Sequence, residues 1–213
     1  MGFLLRQRRR LTAGFLAILL ISLLSVRWHR ERLPGELPKY VLGKGVWIWH
    51  LERCEGGSIP KIVKRAKEAS LDYILVKTNE GPQRTNGLRR PYNPRYQVEA
   101  LIKRAHAQKI KVYAWGFVYG NFPEEEAQRA IEALQLGADG YVFDVEGSFR
   151  NKRRAAEILF ARVRRYAKSC YPQKLIGYST FARVARQALL PYEVFGYYSD
   201  VVMPQAYWAT FDW

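Results

Sequence analysis

The sequence has few of the residues that build metal centres and disulfide frameworks, with two cysteines and three histidines among its 213 residues. Neither Cys54 nor Cys170 belongs to a Cys-x-x-Cys or Cys/His pattern with metal-ligand spacing. This argues against a structural zinc site and against a small disulfide-rich module. We therefore predict a protein that uses neither a metal ion nor another cofactor.

Glycine fingerprints for phosphate binding are also missing, since no Gly-x-Gly-x-x-Gly pattern follows any candidate strand. This disfavours a Rossmann-type nucleotide site. A hydrophobic fraction of 48%, with 14% aromatic residues, is too high for a disordered chain. The length suffices for one domain with a core of its own.

Acidic residues are scarce relative to basic ones, because 19 Asp and Glu face 35 Lys and Arg and give a formal net charge of +16. Most of the basic residues are scattered through helix-like stretches and are typical of a solvated surface. The remaining excess favours a nearby anionic surface, either anionic lipid or an acidic cell-wall polymer. No nucleic-acid-binding motif accompanies the charge, so we predict no nucleic-acid partner.

The amino-terminal segment joins arginines to an apolar run that is followed by Trp28, with no small-x-small cleavage site after it. The length of the run fits either a short transmembrane helix or an uncleaved signal. Four arginines precede the run and favour a cytoplasmic amino terminus. We therefore predict a single-pass membrane protein with its domain outside the cytoplasm. Its parts are a basic cytoplasmic tail (1–10), a transmembrane anchor or uncleaved signal (11–26) and a linker (27–45).

Runs rich in β-branched and aromatic residues alternate with segments of helical period after the linker. The predicted strands are 46–51, 73–79, 111–118, 141–146, 175–180 and 201–207. Between them, apolar residues recur at i, i+3, i+4 and i+7, as in amphipathic helices. This alternation predicts a parallel α/β fold, and we prefer a (β/α) TIM-type barrel to an open sheet.

The barrel domain, residues 46–213, supplies only six strand–helix units. A TIM barrel has eight units in about 250 residues. We expect a barrel that is incomplete through truncation at its carboxyl end, and a six-unit variant is the alternative.

The strongest chemical signal is a pair of carboxylates, Asp144 and Glu146, at the end of the fourth predicted strand. Residues two apart on a strand point to the same side, and Val142 shares that side, whereas Phe143 and Val145 turn towards the helices. Barrel enzymes keep catalytic groups at this end of their strands, and repulsion between two acids raises one pKa. Alternatively, one acid caps a helix and the other pairs with a buried lysine.

Residues 139–146, Asp-Gly-Tyr-Val-Phe-Asp-Val-Glu, resemble the fourth-strand pattern Asp-Gly-x-Asp-x-Asp-x-Glu of family 18 chitinases, with Val142 in place of the second Asp. The same Asp-x-Glu is similar to the fourth strand of family 25 lysozymes. Residues 74–81, 176–180 and 205–208 are similar to the second, fifth and sixth strands of that family. The first strand, 46–51, lacks the Asp found there in family 25 lysozymes.

These resemblances imply a β/α barrel that hydrolyses glycosidic bonds next to 2-acetamido sugars. They imply that Glu146 is the proton donor and that Asp144 orients the acetamido group of the substrate, which acts as an internal nucleophile. Substrate-assisted catalysis is an exception to the usual two-carboxylate scheme.

Further polar and aromatic residues near the predicted strand ends are candidate substrate-binding groups. Lys77 and Asn79 are expected on one face of the second strand, with Asp144 or Glu146 as the partner of the lysine. Each candidate also has a structural interpretation, as an ion pair or as core packing. The full set of candidates is Lys77, Asn79, Trp115, Tyr178, Gln205, Tyr207 and Trp208.

Two principal functions remain open from the sequence, and a third interpretation takes the basic charge as central and makes the domain a peripheral partner of anionic lipid. The first is a membrane-anchored glycoside hydrolase-like protein that acts on an amino-sugar polymer, such as peptidoglycan or a chitin-like polysaccharide. The second is a non-catalytic glycan-binding or cell-envelope scaffold protein that uses the same cleft. The carboxylate pair favours the first, and the missing acids favour the second.

Overall fold

The computed structural model describes residues 42–82 and 92–207. The predicted anchor at 11–26 and the candidate Trp208 lie outside these ranges. Within them, no helix is long and apolar enough to cross a membrane.

The core of the fold is a parallel sheet of six strands that lie side by side in the order of the sequence. This confirms the predicted parallel α/β architecture. Among the described residues β1 and β6 are paired only on their inner sides, so the sheet forms a curled, open half-barrel. The strands are β1 (Gly45–Ile48), β2 (Tyr73–Glu80), β3 (Lys111–Val118), β4 (Gly140–Val145), β5 (Leu175–Phe181) and β6 (Val201–Gln205).

Five helices connect the strands and cover the outer side of the sheet. Each buries an apolar face, as the helical period predicts. Pro60 and Pro123 stand in the first turns of α1 and α3, where a missing N–H costs nothing. The helices are α1 (Ile59–Glu68), α2 (Arg95–Ala107), α3 (Pro123–Gln135), α4 (Arg153–Cys170) and α5 (Tyr192–Tyr198).

Both faces of the sheet are buried, as parallel sheets require. The larger cluster packs between sheet and helices and includes Phe143 and Val145 of β4. A smaller cluster fills the concave side and includes Val142. The alternation predicted for β4 is therefore confirmed, and it points Asp144 to the concave side.

A repeated contact fixes the register at the amino-terminal ends of the strands. Asp72, Asp139 and Asp200 each directly precede an even-numbered strand. Each carboxylate accepts a hydrogen bond from the backbone N–H of a residue at the start of the strand before it. The three donors are Lys44 at 2.7 Å, Val112 at 2.8 Å and Ile176 at 2.8 Å.

Candidate active site

A cleft of about 630 Å³ opens at the carboxyl-terminal ends of the strands, on the concave side of the sheet. The backbone places it there because the side chains of alternate residues meet where parallel strands end. Its lining combines acids, one lysine and several aromatic rings. The lining residues are Trp47, Trp49, Lys77, Glu80, Trp115, Phe117, Tyr119, Asp144, Glu146, Ser179, Met203, Pro204, Gln205, Ala206 and Tyr207.

Asp144 and Glu146 share a hydrogen-bond donor in this cleft. The side-chain amide nitrogen of Gln205 lies 2.8 Å from Asp144 Oδ1 and 3.0 Å from Glu146 Oε1. Gln205 is on β6, two strands away from β4. The barrel curvature thus brings three residues predicted from the sequence into one contact.

The environment of Asp144 favours its protonated form. Burial, followed by the negative charge of Glu146, raises the pKa of Asp144 from 3.8 to about 7. The charge of Lys77 and the hydrogen bond from Gln205 oppose this shift without cancelling it. Near neutral pH the pair of acids therefore retains a proton that can be transferred.

Lys77 lies beneath this pair and is 2% exposed. Its ammonium group is 2.9 Å from Glu80 Oε2, so Glu80 is its direct partner, and the expected pairing with Asp144 or Glu146 is wrong. Three rings surround the ammonium group, with centroids at 3.8 Å for Tyr92, 4.4 Å for Trp49 and 5.0 Å for Trp115. Cation–π contacts of this kind stabilise a desolvated ammonium group.

Glu80 is held in its charged form. Burial acts to raise its pKa, but hydrogen bonds from Tyr92, Lys77 and Tyr119 lower the pKa of Glu80 to about 2. The Tyr119 hydroxyl donates at 2.9 Å to the second oxygen of the carboxylate. Conversely, burial lowers the pKa of Lys77, while its contact with Glu80 acts in the opposite direction.

Asn79 does not line the cleft, so its expected position beside Lys77 is wrong. A β-bulge between Lys77 and Asn79 shifts the register of β2 against β3. As a result Glu80, rather than Asn79, turns into the cleft. Asn79 is buried on the helix side, where its oxygen accepts a 2.7 Å hydrogen bond from the Tyr141 hydroxyl.

Tyr178 also lies outside the cleft. Its ring packs against Phe195 of α5, with centroids 5.6 Å apart, in the cluster between sheet and helices. The neighbouring Ser179 lines the cleft instead. The other described candidates, Lys77, Trp115, Gln205 and Tyr207, are found in the cleft lining.

Asn93 is a structural residue of the site that no motif or periodicity in the sequence indicated. Its amide nitrogen donates to the carbonyl oxygens of Trp49 at 2.9 Å and Lys77 at 2.7 Å. Its oxygen accepts from the N–H of Leu51 at 2.7 Å. Asn93 therefore connects the end of β1 to β2 and fixes the position of Trp49 over the lysine.

The described residues show no group of three or more His, Cys, Asp or Glu side chains that could hold a metal ion. Residues Cys54 and Cys170 are free thiols. The lining of the cleft supplies carboxylates, an ammonium group, a side-chain amide, hydroxyls and aromatic rings.

No family model and no curated protein matches the sequence. Among solved structures, the chain is similar to the modular autolysin LytC from Streptococcus pneumoniae, with a TM-score of 0.46 and 13% identity over 69% of this chain and 34% of that one. It is also similar to the modular Cpl-1 endolysin complexed with a peptidoglycan analogue, with a TM-score of 0.45 and 12% identity over 71% and 40% of the two chains. The chain thus spans less than half the length of either structure. Similarity at this level assigns no function, which has to follow from the residues of the cleft.

Proposed function

We propose that this protein is a membrane-attached glycoside hydrolase that cleaves an amino-sugar polymer such as peptidoglycan. The observation that carries the proposal is the contact of Gln205 with Asp144 and Glu146 at the base of an aromatic-lined cleft. Two carboxylates, one of which retains a proton near neutral pH, are the groups that acid-catalysed glycoside hydrolysis needs.

Glu146 serves as the proton donor in this proposal. It follows the last residue of β4 and is therefore nearer the mouth of the cleft than Asp144. The carboxylate of Asp144 accepts a hydrogen bond from the acetamido N–H of the substrate and orients that group. Glu146 then protonates the glycosidic oxygen as the C1–O bond breaks.

The acetamido carbonyl oxygen of the substrate forms the new bond to C1 and gives an oxazolinium ion. A water molecule then attacks C1, opens this ring and returns a proton to Glu146. The sugar is released with its acetamido group restored. This scheme needs no second carboxylate at a fixed distance, which makes the one-residue spacing of the pair sufficient.

Aromatic rings at the mouth provide binding surfaces for sugar rings. Trp49 and Tyr207 line the cleft and are 54% and 56% exposed. Their faces can stack on the apolar faces of pyranose rings, as large amphipathic rings do in other binding sites. Trp208, which follows directly in the sequence, is proposed as a further stacking residue.

The test is the Glu146→Gln variant, assayed by release of reducing ends from peptidoglycan and from chitin oligomers. General acid catalysis contributes about 10²- to 10⁴-fold, so we expect turnover to fall by that factor while polymer binding is retained. Glu99→Gln, the same substitution on the outer side of α2, is the matched control and should cleave as the wild type does. Cleavage by Glu146→Gln at the wild-type rate would show that the acid lies elsewhere.

A non-catalytic glycan-binding function is the second candidate, and the Gln205 contact also favours it. The amide that bridges the two acids occupies one oxygen of each, as expected where the acids shape the cleft and transfer no proton. In that case the wild type retains the polymers in pull-down assays but releases no reducing ends. Glu146→Gln and wild type would then behave alike.

The cellular location is part of the proposal. The apolar run at 11–26 and the arginines before it support attachment through one segment, with the amino terminus in the cytoplasm and the cleft outside it. This location gives the domain access to a cell-envelope polysaccharide.

A further inference from the structure

The end of the barrel opposite the cleft carries a surface that the proposed hydrolysis does not use. In a parallel barrel, the amino-terminal ends of the strands and the carboxyl ends of the helices meet at this end. Five exposed cations lie there, one before β1 and four in or directly after the last turns of α1, α2 and α4. We call them the basal face: Lys44, Lys67, Arg104, Lys109 and Lys168.

The acids at this end contact groups other than the cations of the basal face. Asp72, Asp139 and Asp200 are tied to backbone N–H groups of the strands, and Asp139 and Asp200 also pair with His106 and Arg164. Each of these three acids therefore already has its partners within the fold.

The other acid near the basal face, and the lysines of the face itself, contact groups that leave the lysine charges without an acid partner. Glu68 is exposed but lies 3.8 Å from both Lys64 and Arg65, outside the basal set. The ammonium groups of Lys44 and Lys67 contact neutral oxygens, the carbonyl of Ala69 and the side chain of Gln108. Within the described part of the chain, no acid therefore forms an ion pair with a cation of the basal face.

Lys109 is held in an unfavourable backbone conformation. It follows the end of α2 with a φ of 60°, a left-handed position in which helices commonly place glycine or asparagine. A lysine here costs conformational energy that Gly or Asn would avoid. Its side chain is exposed and adds a positive charge to the basal face.

The cleft end differs in its charge. Exposed acids there include Glu52, Glu55 and Glu124, in addition to the acids inside the cleft. Exposed cations such as Lys61, Arg154 and Arg186 are interspersed with the acids at the cleft end, whereas the five cations of the basal face lie together.

We propose that the basal face binds an anionic phospholipid bilayer and holds the cleft pointing away from the membrane. The described chain enters at this end, because Leu42 precedes β1. The part of the predicted linker (27–45) that precedes Leu42 reaches at most about 50 Å when fully extended, so an anchor at 11–26 keeps this end within reach of the bilayer. Basic residues near an anionic bilayer each strengthen binding by about fivefold. The inference rests on the proposed membrane attachment and is independent of the proposed hydrolysis.

Two native thiols provide the test. Cys170 is exposed at the end of α4, beside the basal face, whereas Cys54 follows β1 at the cleft end and serves as an internal control. The full chain is reconstituted with vesicles of phosphatidylcholine and with vesicles of equal parts phosphatidylcholine and phosphatidylglycerol. The rate of maleimide modification of each thiol is measured after flotation of the vesicles.

We expect the chain to float with both vesicle types and Cys170 to react at least about fivefold more slowly on the anionic vesicles, with Cys54 unchanged. Salt at about 1 M, where the Debye length is about 3 Å, should remove the difference. Equal reactivity of Cys170 on both vesicles overturns the basal-face proposal alone. Failure to float with either type overturns it together with the membrane attachment.

A matched pair of triple variants separates the basal face from general charge. Lys67→Gln, Lys109→Asn and Lys168→Gln together should abolish the protection of Cys170, and asparagine suits the left-handed position at 109. The control removes three charges from the cleft end with Lys61→Gln, Arg154→Gln and Arg186→Gln and should keep the protection. The same assay is repeated with a soluble polyglycerol phosphate added to the phosphatidylcholine vesicles. If this polymer protects Cys170 and anionic lipid does not, the basal face binds a wall polymer and the proposal is overturned.

Discussion

Carboxylates in one cleft can have opposite protonation states when their surroundings differ. Asp144 is buried beside another acid and receives one hydrogen bond, so its pKa rises to about 7. Glu80 is also partly buried, but it receives hydrogen bonds from an ammonium group and two phenols, so its pKa falls to about 2. The cleft therefore keeps a proton on one side and a fixed negative charge on the other, an arrangement suited to acid catalysis.

The raised pKa of Asp144 makes folding stability depend on pH. The folded state holds this proton up to about pH 7 and the unfolded state only up to about pH 4, so the free energy of unfolding should fall as pH rises from about 4 to about 7. Asp144→Asn removes the charge and keeps the shape. We expect the variant to be more stable than wild type at pH 8 by on the order of 2 kcal/mol and equal to it near pH 4. Urea unfolding at the two pH values measures this, and an identical pH dependence in both proteins would contradict the pKa assignment.

The Lys77–Glu80 pair should behave as a buried ion pair. Lys77→Met leaves Glu80 without its cation and should destabilise the domain by about 3 kcal/mol. Adding Glu80→Gln removes the uncompensated charge, so the double variant should recover much of that loss. A double-mutant cycle by thermal unfolding measures the coupling. Additive effects of the two substitutions would show that the pair contributes no interaction energy.

Strand positions were predictable from the sequence because buried parallel strands are short apolar runs between amphipathic helices. β3 matches its predicted bounds, 111–118, and the other strands differ by a few residues at their ends. The inward direction of Asp144 and Gln205 followed from strand alternation. The prediction from alternation is wrong on β2, because the bulge at Thr78 exchanges the sides of the sheet to which Asn79 and Glu80 point. No pattern of residues in β2 indicates that bulge.

The position of Tyr178 outside the cleft could have been predicted from the alternation of side chains along β5. On β5, Leu175 lies in the concave cluster and Gly177 and Ser179 share its side, so Tyr178 turns to the helices with Ile176. Asn93 had no such signal, because it stands in a connection and acts through three backbone groups that are distant in the sequence. Contacts of that kind depend on the assembled fold.

At the level of the elements, Asn93→Ala should loosen the junction between β1 and β2. The substitution leaves the N–H of Leu51 and two carbonyl oxygens without their partner, and an unsatisfied buried group costs about 1 to 3 kcal/mol. We expect a loss of stability in that range and faster hydrogen exchange at Leu51. Asn121→Ala, at an exposed asparagine that accepts one hydrogen bond from Lys152, is the control and should change little. Unchanged exchange at Leu51 would show that Asn93 does not hold the junction.

For the domain as a whole, the two proposals rest on residues at opposite ends of the barrel. The cleft end gathers the acids and the exposed rings, and the cations of the basal face form no ion pair with an acid among residues 42–82 and 92–207. Loops at one end of a barrel can vary without disturbing the other, because the strands between them form the core. The proposed membrane contact and the proposed polysaccharide chemistry therefore do not compete for the same residues.

The predicted orientation of the whole chain across a membrane can be measured with reporter proteins fused to its carboxyl end. Arginines on the amino-terminal side of the apolar run should hold that end in the cytoplasm, so the cleft faces outward. Alkaline phosphatase fused after Trp213 should be active in a bacterial host, and a green fluorescent protein fused there should be dark.

Replacing Arg6, Arg8, Arg9 and Arg10 by Gln should mix the orientations, because the charge bias is lost. Replacing Arg27, Arg30 and Arg32 instead, as the matched control, should preserve the original orientation. A fusion that works only in the cytoplasm would place the cleft inside the cell and remove its access to an envelope polysaccharide.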